Sequence, residues 1–501
     1  MITANYILIY LIAYFLFLST ITWLTTRKAD SLSFYLGNKK SPWYLVAFGM
    51  IGTSISGVTF ISVTGMVAAQ KFAYLQLVLG FVVGYLLIAF ILLPLYYRLN
   101  LTSIYTYLDL RFGKKSHKVG SFYFLLARTL GSAARLYMVA LVLDDLVFSK
   151  LHVPFEFTVT IILLLIFIYT VKGGIKTIIY TDTIQTAVML IAVFVCIYEV
   201  RNGLKFNFSQ IFTMISERGY TQVFTGGWQG FTKEFFAGIF ICVGMTGLDQ
   251  DLMQKNLSCR NIGDAKKNML SFSIILVIVN VLFLTLGAFL ALFAIQQNIQ
   301  VPRPDLLFGH IATEHFSLIG SAIFVIGLIA ISFASADSAL TALTTSFCID
   351  ILNFSPQDTS KVGQRRWVHL AFTLLSIFLI IYLFKGSNDS VINIVYTIGS
   401  YTYGPLIGLY AFGLFFKRKI NDAIVPLVCI CVPLLIVSYS AYLGYHRLIE
   451  EHLMTVDRGL LERIQAFLAK GIGKEVIIYN GIATLLGLLF FSKKDVNFKK
   501  L

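Results

Sequence analysis

The chain has 501 residues, 57% hydrophobic and only 13% charged, with a formal net charge of +15. Soluble domains run about 45–50% apolar and 25% charged, so this composition excludes an ordinary water-soluble fold. The basic residues lie in short clusters between apolar runs, which speaks for membrane topology and against a nucleic-acid-binding face.

A membrane-crossing helix needs roughly 20 mostly apolar residues. By that measure the sequence predicts an all-α integral membrane protein of about thirteen transmembrane helices, forming one transmembrane domain over 1–501. The first span, 5–24, has no basic stretch before it and no small-residue cleavage site after it, so it reads as a retained extra helix. Ten spans form a core over 42–416: 42–70, 74–97, 119–147, 153–171, 174–200, 234–252, 269–296, 317–349, 366–384 and 389–416. Two more, 422–446 and 475–491, follow within 422–491. Between them, 447–474 carries Leu453, Leu460, Leu461, Ile464 and Phe467 at helical spacing, which suits an amphipathic helix on the outer surface or a mobile loop.

Sorting the loops by parity gives one basic set: Arg27, Lys28, Lys39 and Lys40; Arg98, Arg111, Lys114 and Lys115; Lys172 and Lys176; Lys255, Arg260, Lys266 and Lys267; Lys361, Arg365 and Arg366; Lys417, Arg418 and Lys419. The other set is poorer by roughly a factor of two, which places the N-terminus outside and the C-terminus in the cytoplasm of a cell inner membrane. Cys196, Cys242, Cys348, Cys429 and Cys431 fall in apolar spans and Cys259 in a basic loop, a pattern of free thiols. His310 and His315 flank a solvated loop without metal-ligand spacing.

Two spans are interrupted. The run Phe48 to Thr59 concentrates Gly49, Gly52, Thr53, Ser54, Ser56, Gly57 and Thr59 in mid-span, and Gly238 to Asp251 is punctuated by Gly238, Gly244 and Gly247. Small residues also serve helix packing. Two interruptions five spans apart, however, mark an inverted-repeat 5+5 core with broken first and sixth core helices, its site at the repeat interface.

Charged residues inside spans cost several kcal/mol unless paired or solvated. Asp182 and Asp337 sit at similar depth on helices of opposite direction, and Ser335 and Ser338 flank the latter. Such hard oxygens suit a small cation; hydrogen bonding to neighbouring helices or proton carriage are the alternatives. Arg128 and Arg135 share one helix face, seven residues apart. Arg128 lies close enough to the helix end to snorkel. Arg135, nearer the midplane, suits either an internal ion pair or a substrate carboxylate.

Four motifs occur in order: Tyr169-Thr170-Val171-Lys172-Gly173-Gly174 leading to Thr181-Asp182-Thr183; Thr246-Gly247-Leu248-Asp249-Gln250-Asp251; Ala334-Ser335-Ala336-Asp337-Ser338; and Tyr401-Thr402-Tyr403-Gly404-Pro405. With them nearly the whole chain resembles the solute:sodium symporter family, which includes bacterial sugar, proline and sialic acid transporters on the leucine-transporter fold. The resemblance implies a sodium site at the carbonyls of Gly52 and Ile55 with Ile331, Ala334 and Ser335. Ala334 departs from the family's hydroxyl, so that water or Ser332 would have to complete the site. A second sodium site resembles Asp182 with Asp337 and Ser338. By the same analogy Ser54, Ser56 and Thr59 and an arginine, Arg135 or Arg128, bind substrate, with Gln76 contributing.

The expected function is sodium-coupled secondary active import of a small polar solute, an anionic one if the arginine analogy holds, with Na+ as coupling ion. Proton coupling through Asp182 and Asp337 is the rival. A transporter-like sensor lacks its signalling domain, and a membrane enzyme lacks a nucleophile, metal or phosphate-loop constellation. The lipid bilayer is the expected surrounding; no nucleic acid and no obligatory oligomer is expected.

Overall fold

In the computed structural model, residues 4–26, 31–301, 303–358, 360–384, 391–450 and 471–494 are described. Their apolar runs are helical, because in hydrocarbon a backbone group finds a partner only within its own helix. The predicted segment 447–474 lies for the most part outside the described residues.

The helices run in order as α1 (Ala4–Thr26), α2 (Trp43–Ser54), α3 (Thr59–Gln70), α4 (Tyr74–Arg98) and α5 (Lys114–Leu143). Next come α6 (Phe155–Val171), α7 (Gly173–Leu204), α8 (Gly227–Gly247), α9 (Gln250–Leu257) and α10 (Ile262–Gln296). The rest are α11 (Leu318–Ile351), α12 (Val362–Leu383), α13 (Val391–Phe415), α14 (Ile424–Glu450) and α15 (Val476–Phe490). Among the described residues eight helices are long and apolar enough to cross a membrane, and two bent pairs raise that to ten. α6, α13 and α15 occupy the remaining predicted positions.

The bent pairs are the predicted breaks: α2 and α3 meet at 67°, α8 and α9 at 63°. α6 runs into α7 through Gly174, whose φ of 63° belongs to glycine; a Cβ there would also sit 2.5 Å from the Phe34 backbone. α4 and α8 approach through Gly80 and Gly238, where an added Cβ would fall 2.1 Å from the Phe235 carbonyl and 2.3 Å from the Leu77 carbonyl. Apolar side chains such as Leu16, Phe194, Ile274, Phe378 and Leu435 face outward, while the interior mixes large apolar side chains such as Phe60, Phe272 and Phe324 with small and polar ones. Such an outer surface is a liability in water and the normal state in lipid.

The connections gather in two groups. At one end Ser41 bonds to Ser258, Arg111 to Phe416 and Arg418, and Ser116 to Asp422. At the other, Gln76 meets Val223, Glu199 meets Ser317, and Lys474 meets Glu234. These groups are the two parity classes of loops. Two connections hold helices that hydropathy missed, Phe208–Glu217 and Pro304–Glu314. The first opens with a capping box of Asn207 and Gln210. His310 therefore lies in a helix rather than a plain loop, although it and His315 are exposed as expected.

Candidate functional site

At the first break the helical ladder stops abruptly. Ile55 is the last amide to bond back, to the Ile51 carbonyl at 2.7 Å, and the next bonds run from Thr59 and Phe60 to Ser56. The carbonyls of Gly52 to Ile55 thus receive no ladder bond, and no described side chain donates to them. This place is crowded by design of sequence: a Cβ on Gly52 would lie 2.5 Å from Thr186 Oγ1 and 3.6 Å from Ala334 Cβ. The break accordingly packs against α7 and α11, and brings Gly52 beside Ala334, as the resemblance implies for the first sodium site. Ile331, Ala334 and Ser335 are all buried on α11. Ser332 is committed to its own helix, donating to the Leu328 carbonyl at 2.5 Å.

The second break is built differently. The freed carbonyls of Gly247 and Leu248 accept hydroxyls from Tyr96 (2.9 Å) and Tyr105 (2.7 Å). Asp249 caps α9 by accepting the Asp251 amide at 2.9 Å and also accepts the Tyr403 hydroxyl. Arg128, from α5, forms an ion pair with Asp251 and approaches Asp249 to 3.8 Å. Snorkelling is therefore not its role: Arg128 is 5% exposed and its charge is neutralised inside the protein. This partnership was not legible along the chain, because Asp249 and Asp251 read as part of a motif and not as counter-ions.

Between the breaks lies a central cavity of about 80 Å³. Ser54, Ile55, Ser56, Thr59, Arg128 and Arg135 all line it. Arg135 makes no hydrogen bond or ion pair with a described residue, so its guanidinium faces the cavity uncommitted. Tyr74 and Tyr396 close one side: their hydroxyls are 2.7 Å apart, and both also line a second cavity of about 470 Å³ beyond. Gln76 belongs to that second cavity, where its amide donates to the Val223 carbonyl at 2.7 Å; it is not brought to the central one. Tyr74, Tyr85, Asn280 and Tyr396 were not singled out from sequence, since nothing local distinguishes a cavity-lining tyrosine or amide from a packed one.

Asp182 and Asp337 are fully buried, as predicted, within one polar cluster. Asp182 Oδ2 accepts from Thr53 Oγ1 at 2.9 Å and from Lys255 Nζ at 2.5 Å; Asp337 Oδ2 accepts the Tyr169 hydroxyl at 3.0 Å. Among the described residues the Oδ1 atoms of both carboxylates are without a hydrogen-bond partner, as is the amide of Gln185. Ser338 is turned elsewhere and donates to Asp251. Lys255, grouped with loop charges by its sequence position, is instead a buried residue of α9.

Comparison with known proteins identifies the family and the fold. A sequence model of the sodium:solute symporter family matches residues 34–423. The chain is 24% identical to the sodium/sialic acid symporter NanT of Aliivibrio fischeri, over 88% of this chain and 89% of that one. It is also 24% identical to the sodium/sialic acid symporter SiaT of Proteus mirabilis, over 84% and 86%. A solved outward-open, substrate-bound sodium-coupled sialic acid symporter shares the fold with a TM-score of 0.79 at 18% identity, covering 99% of this chain and all of that one. A nucleobase-cation-symport-1 family transporter in a closed conformation superposes at a TM-score of 0.52 and 13% identity, over 91% of this chain and 95% of its own. With that family match over most of its length and the leucine-transporter fold, the chain belongs to the sodium:solute symporter family: it is a multi-pass membrane transporter that couples solute movement to sodium, and not an enzyme.

Proposed function

We propose that this symporter imports a carboxylate-bearing organic solute across a cell inner membrane, with its N-terminus outside, its C-terminus in the cytoplasm, and about thirteen spans. The observation that carries the reading is Arg135: a guanidinium within a membrane-crossing helix, lining the cavity and forming no ion pair or hydrogen bond with a described residue. An intramembrane arginine costs at least about 2.5–3.5 kcal/mol and is seldom kept without a partner. Its near neighbour Arg128 already occupies Asp251 and Asp249, so the partner left for Arg135 is the solute. Ser54, Ser56 and Thr59, which line the same cavity, supply neutral hydrogen bonds to the rest of the molecule. The relatives that carry sialic acid, an acidic sugar, support the choice of an anion.

Sodium is held by the open carbonyls of Gly52 and Ile55 with Ile331, Ala334 and Ser335, and in a second site by Asp182 and Asp337. Ser338 contributes to the second site only if it leaves Asp251. A cavity of about 80 Å³ holds a few waters at about 10–15 Å³ each, so a larger solute requires the Tyr74–Tyr396 contact to part. No oligomer is needed for this scheme.

The test is a solute screen by sodium-dependent thermal stabilisation, with acidic sugars, monocarboxylates and neutral polyols in parallel. Only carboxylates should stabilise, and Arg135→Lys, which keeps charge but loses the planar fork, should weaken that binding about tenfold with an unchanged melting temperature. A neutral solute that binds equally to wild type and Arg135→Ala would overturn the proposal.

A further inference from the structure

Lys255 is the buried charge that the transport scheme leaves without a task. It sits in the last turn of α9, beside the connection that begins at Ser258, where a lysine's four-carbon stem could easily carry the ammonium to water. Instead the side chain is 1% exposed, and its ammonium bonds to both Asp182 Oδ2 and Thr53 Oγ1. The Thr53 hydroxyl donates to the same carboxylate oxygen. One ammonium thereby ties together α2 before its break, α7, and the short half of the second broken helix.

The local charge is unbalanced. Asp337 lies within electrostatic reach of both Asp182 and Lys255, and the nearby Arg128 is engaged by Asp251. Two buried carboxylates therefore share one ammonium, and each keeps an unpartnered Oδ1. With both carboxylates ionised the cluster is one monovalent cation short of neutrality, while one of its best oxygens, Asp182 Oδ2, is held by a cation that belongs to the protein.

We infer that Lys255 is a tethered competitor of the coupling ion: its ammonium holds Asp182 and Thr53 when sodium is scarce, and sodium binding at Asp182 displaces it and releases α9. This rests on the reading of Asp182 as a sodium ligand. A tethered cation loses no translational freedom on binding, so it occupies the carboxylate whenever sodium is dilute. Once sodium is in place, an ammonium beside it meets a like charge and has lost its acceptor, which makes continued burial unfavourable. Its way out is the α9 end nearest the basic connections. Because α9 also carries Asp251 and is capped by Asp249, the displacement reaches the Arg128 network at the second break.

The experiment uses the full chain in lipid nanodiscs, with sodium titrated against choline at constant ionic strength. Sodium affinity is read from thermal stabilisation, and release of α9 from backbone hydrogen exchange of peptides spanning 250–261. In the wild type sodium should raise the melting temperature yet speed exchange in 250–261. In Lys255→Gln the half-saturating sodium concentration should fall about tenfold, because a like charge a few ångströms from the ion is gone, and 250–261 should exchange fast without sodium. Lys255→Arg should retain the sodium response of the wild type. The double variant Asp182→Asn/Lys255→Gln removes both charges and guards against misfolding; its 250–261 segment should ignore sodium. Exchange in wild-type 250–261 that is slowed or unmoved by sodium, or a Lys255→Gln protein that needs more sodium, overturns the inference. Asp182→Asn separates the two levels: an unchanged sodium response there removes Asp182 as a ligand and with it the underlying reading. A lost response in Asp182→Asn together with no gain in Lys255→Gln removes only the competitor.

Discussion

The two broken helices begin from the same problem and solve it in opposite ways. Each interrupts a span with glycines and so frees backbone carbonyls at a depth where water is scarce. At the second break those carbonyls are covered by Tyr96 and Tyr105, and its two carboxylates by Arg128 and Tyr403, so the break is a finished structural joint. At the first break the carbonyls of Gly52 to Ile55 have no such donors, although the surroundings are equally buried. An unsatisfied carbonyl in hydrocarbon costs several kcal/mol, so a cation is the natural completion of the first joint and has no place in the second. Pseudo-symmetric elements can thus be divided between binding and support by the side chains that surround them.

The largest test of this contrast is Arg128→Ala. Leaving Asp249 and Asp251 without their cation should cost about 3–5 kcal/mol, seen as a steep fall in melting temperature and yield. A variant that melts like wild type would mean that the second break is held by something other than this pair. Next is a matched pair of glycine substitutions. Gly52→Ala drives a methyl to 2.5 Å from Thr186 Oγ1, and Gly247→Ala drives one to 2.6 Å from Leu92 Cδ1. Both should lose about 1–3 kcal/mol by overpacking, but only Gly52→Ala should also abolish sodium-dependent stabilisation. Equal sodium responses in the two would erase the distinction drawn here. Tyr105→Phe uncovers the Leu248 carbonyl and should cost about 1–3 kcal/mol in melting experiments, with sodium affinity unchanged. The smallest effect is expected of Ala334→Ser, which adds an oxygen beside Gly52. The net worth of one such contact, about 0.5–1.5 kcal/mol, corresponds to sodium half-saturation tightened roughly two- to tenfold. Weaker sodium activation would argue that the first break does not hold the ion in this way.

Sequence alone determined the class of the molecule, the approximate position of its apolar helices, the grouping of its connections and the location of both breaks. These follow from one-dimensional quantities: the length of an apolar run, the spacing of basic clusters, and glycine or hydroxyl residues where a helix should be uninterrupted. It also found the buried carboxylates Asp182 and Asp337, since a charge in an apolar span is visible wherever it occurs. The resemblance to known symporters, rather than any pattern of spacing, supplied the proposal of the first sodium site. The short helices at Phe208–Glu217 and Pro304–Glu314 were missed because they are too short to register as spans and gain stability from packing on their neighbours.

Only the tertiary structure decided what each polar residue does. Arg128 and Arg135 lie on one face of one helix, and their depth along it pointed to the wrong one as the solvated charge. The bend after Gly247 sets Asp251 opposite the first and leaves the second lining the cavity. Ser338, beside Asp337 in sequence, turns to Asp251, and Gln76 turns to the connection at Val223. Lys255 shows the limit most clearly: its sequence neighbours place it among solvated basic residues, and the bend after Gly247 carries it into the interior against Asp182. Hydropathy and motif are properties of a residue's neighbours along the chain, whereas the partner of a buried charge comes from whichever helix packs across from it.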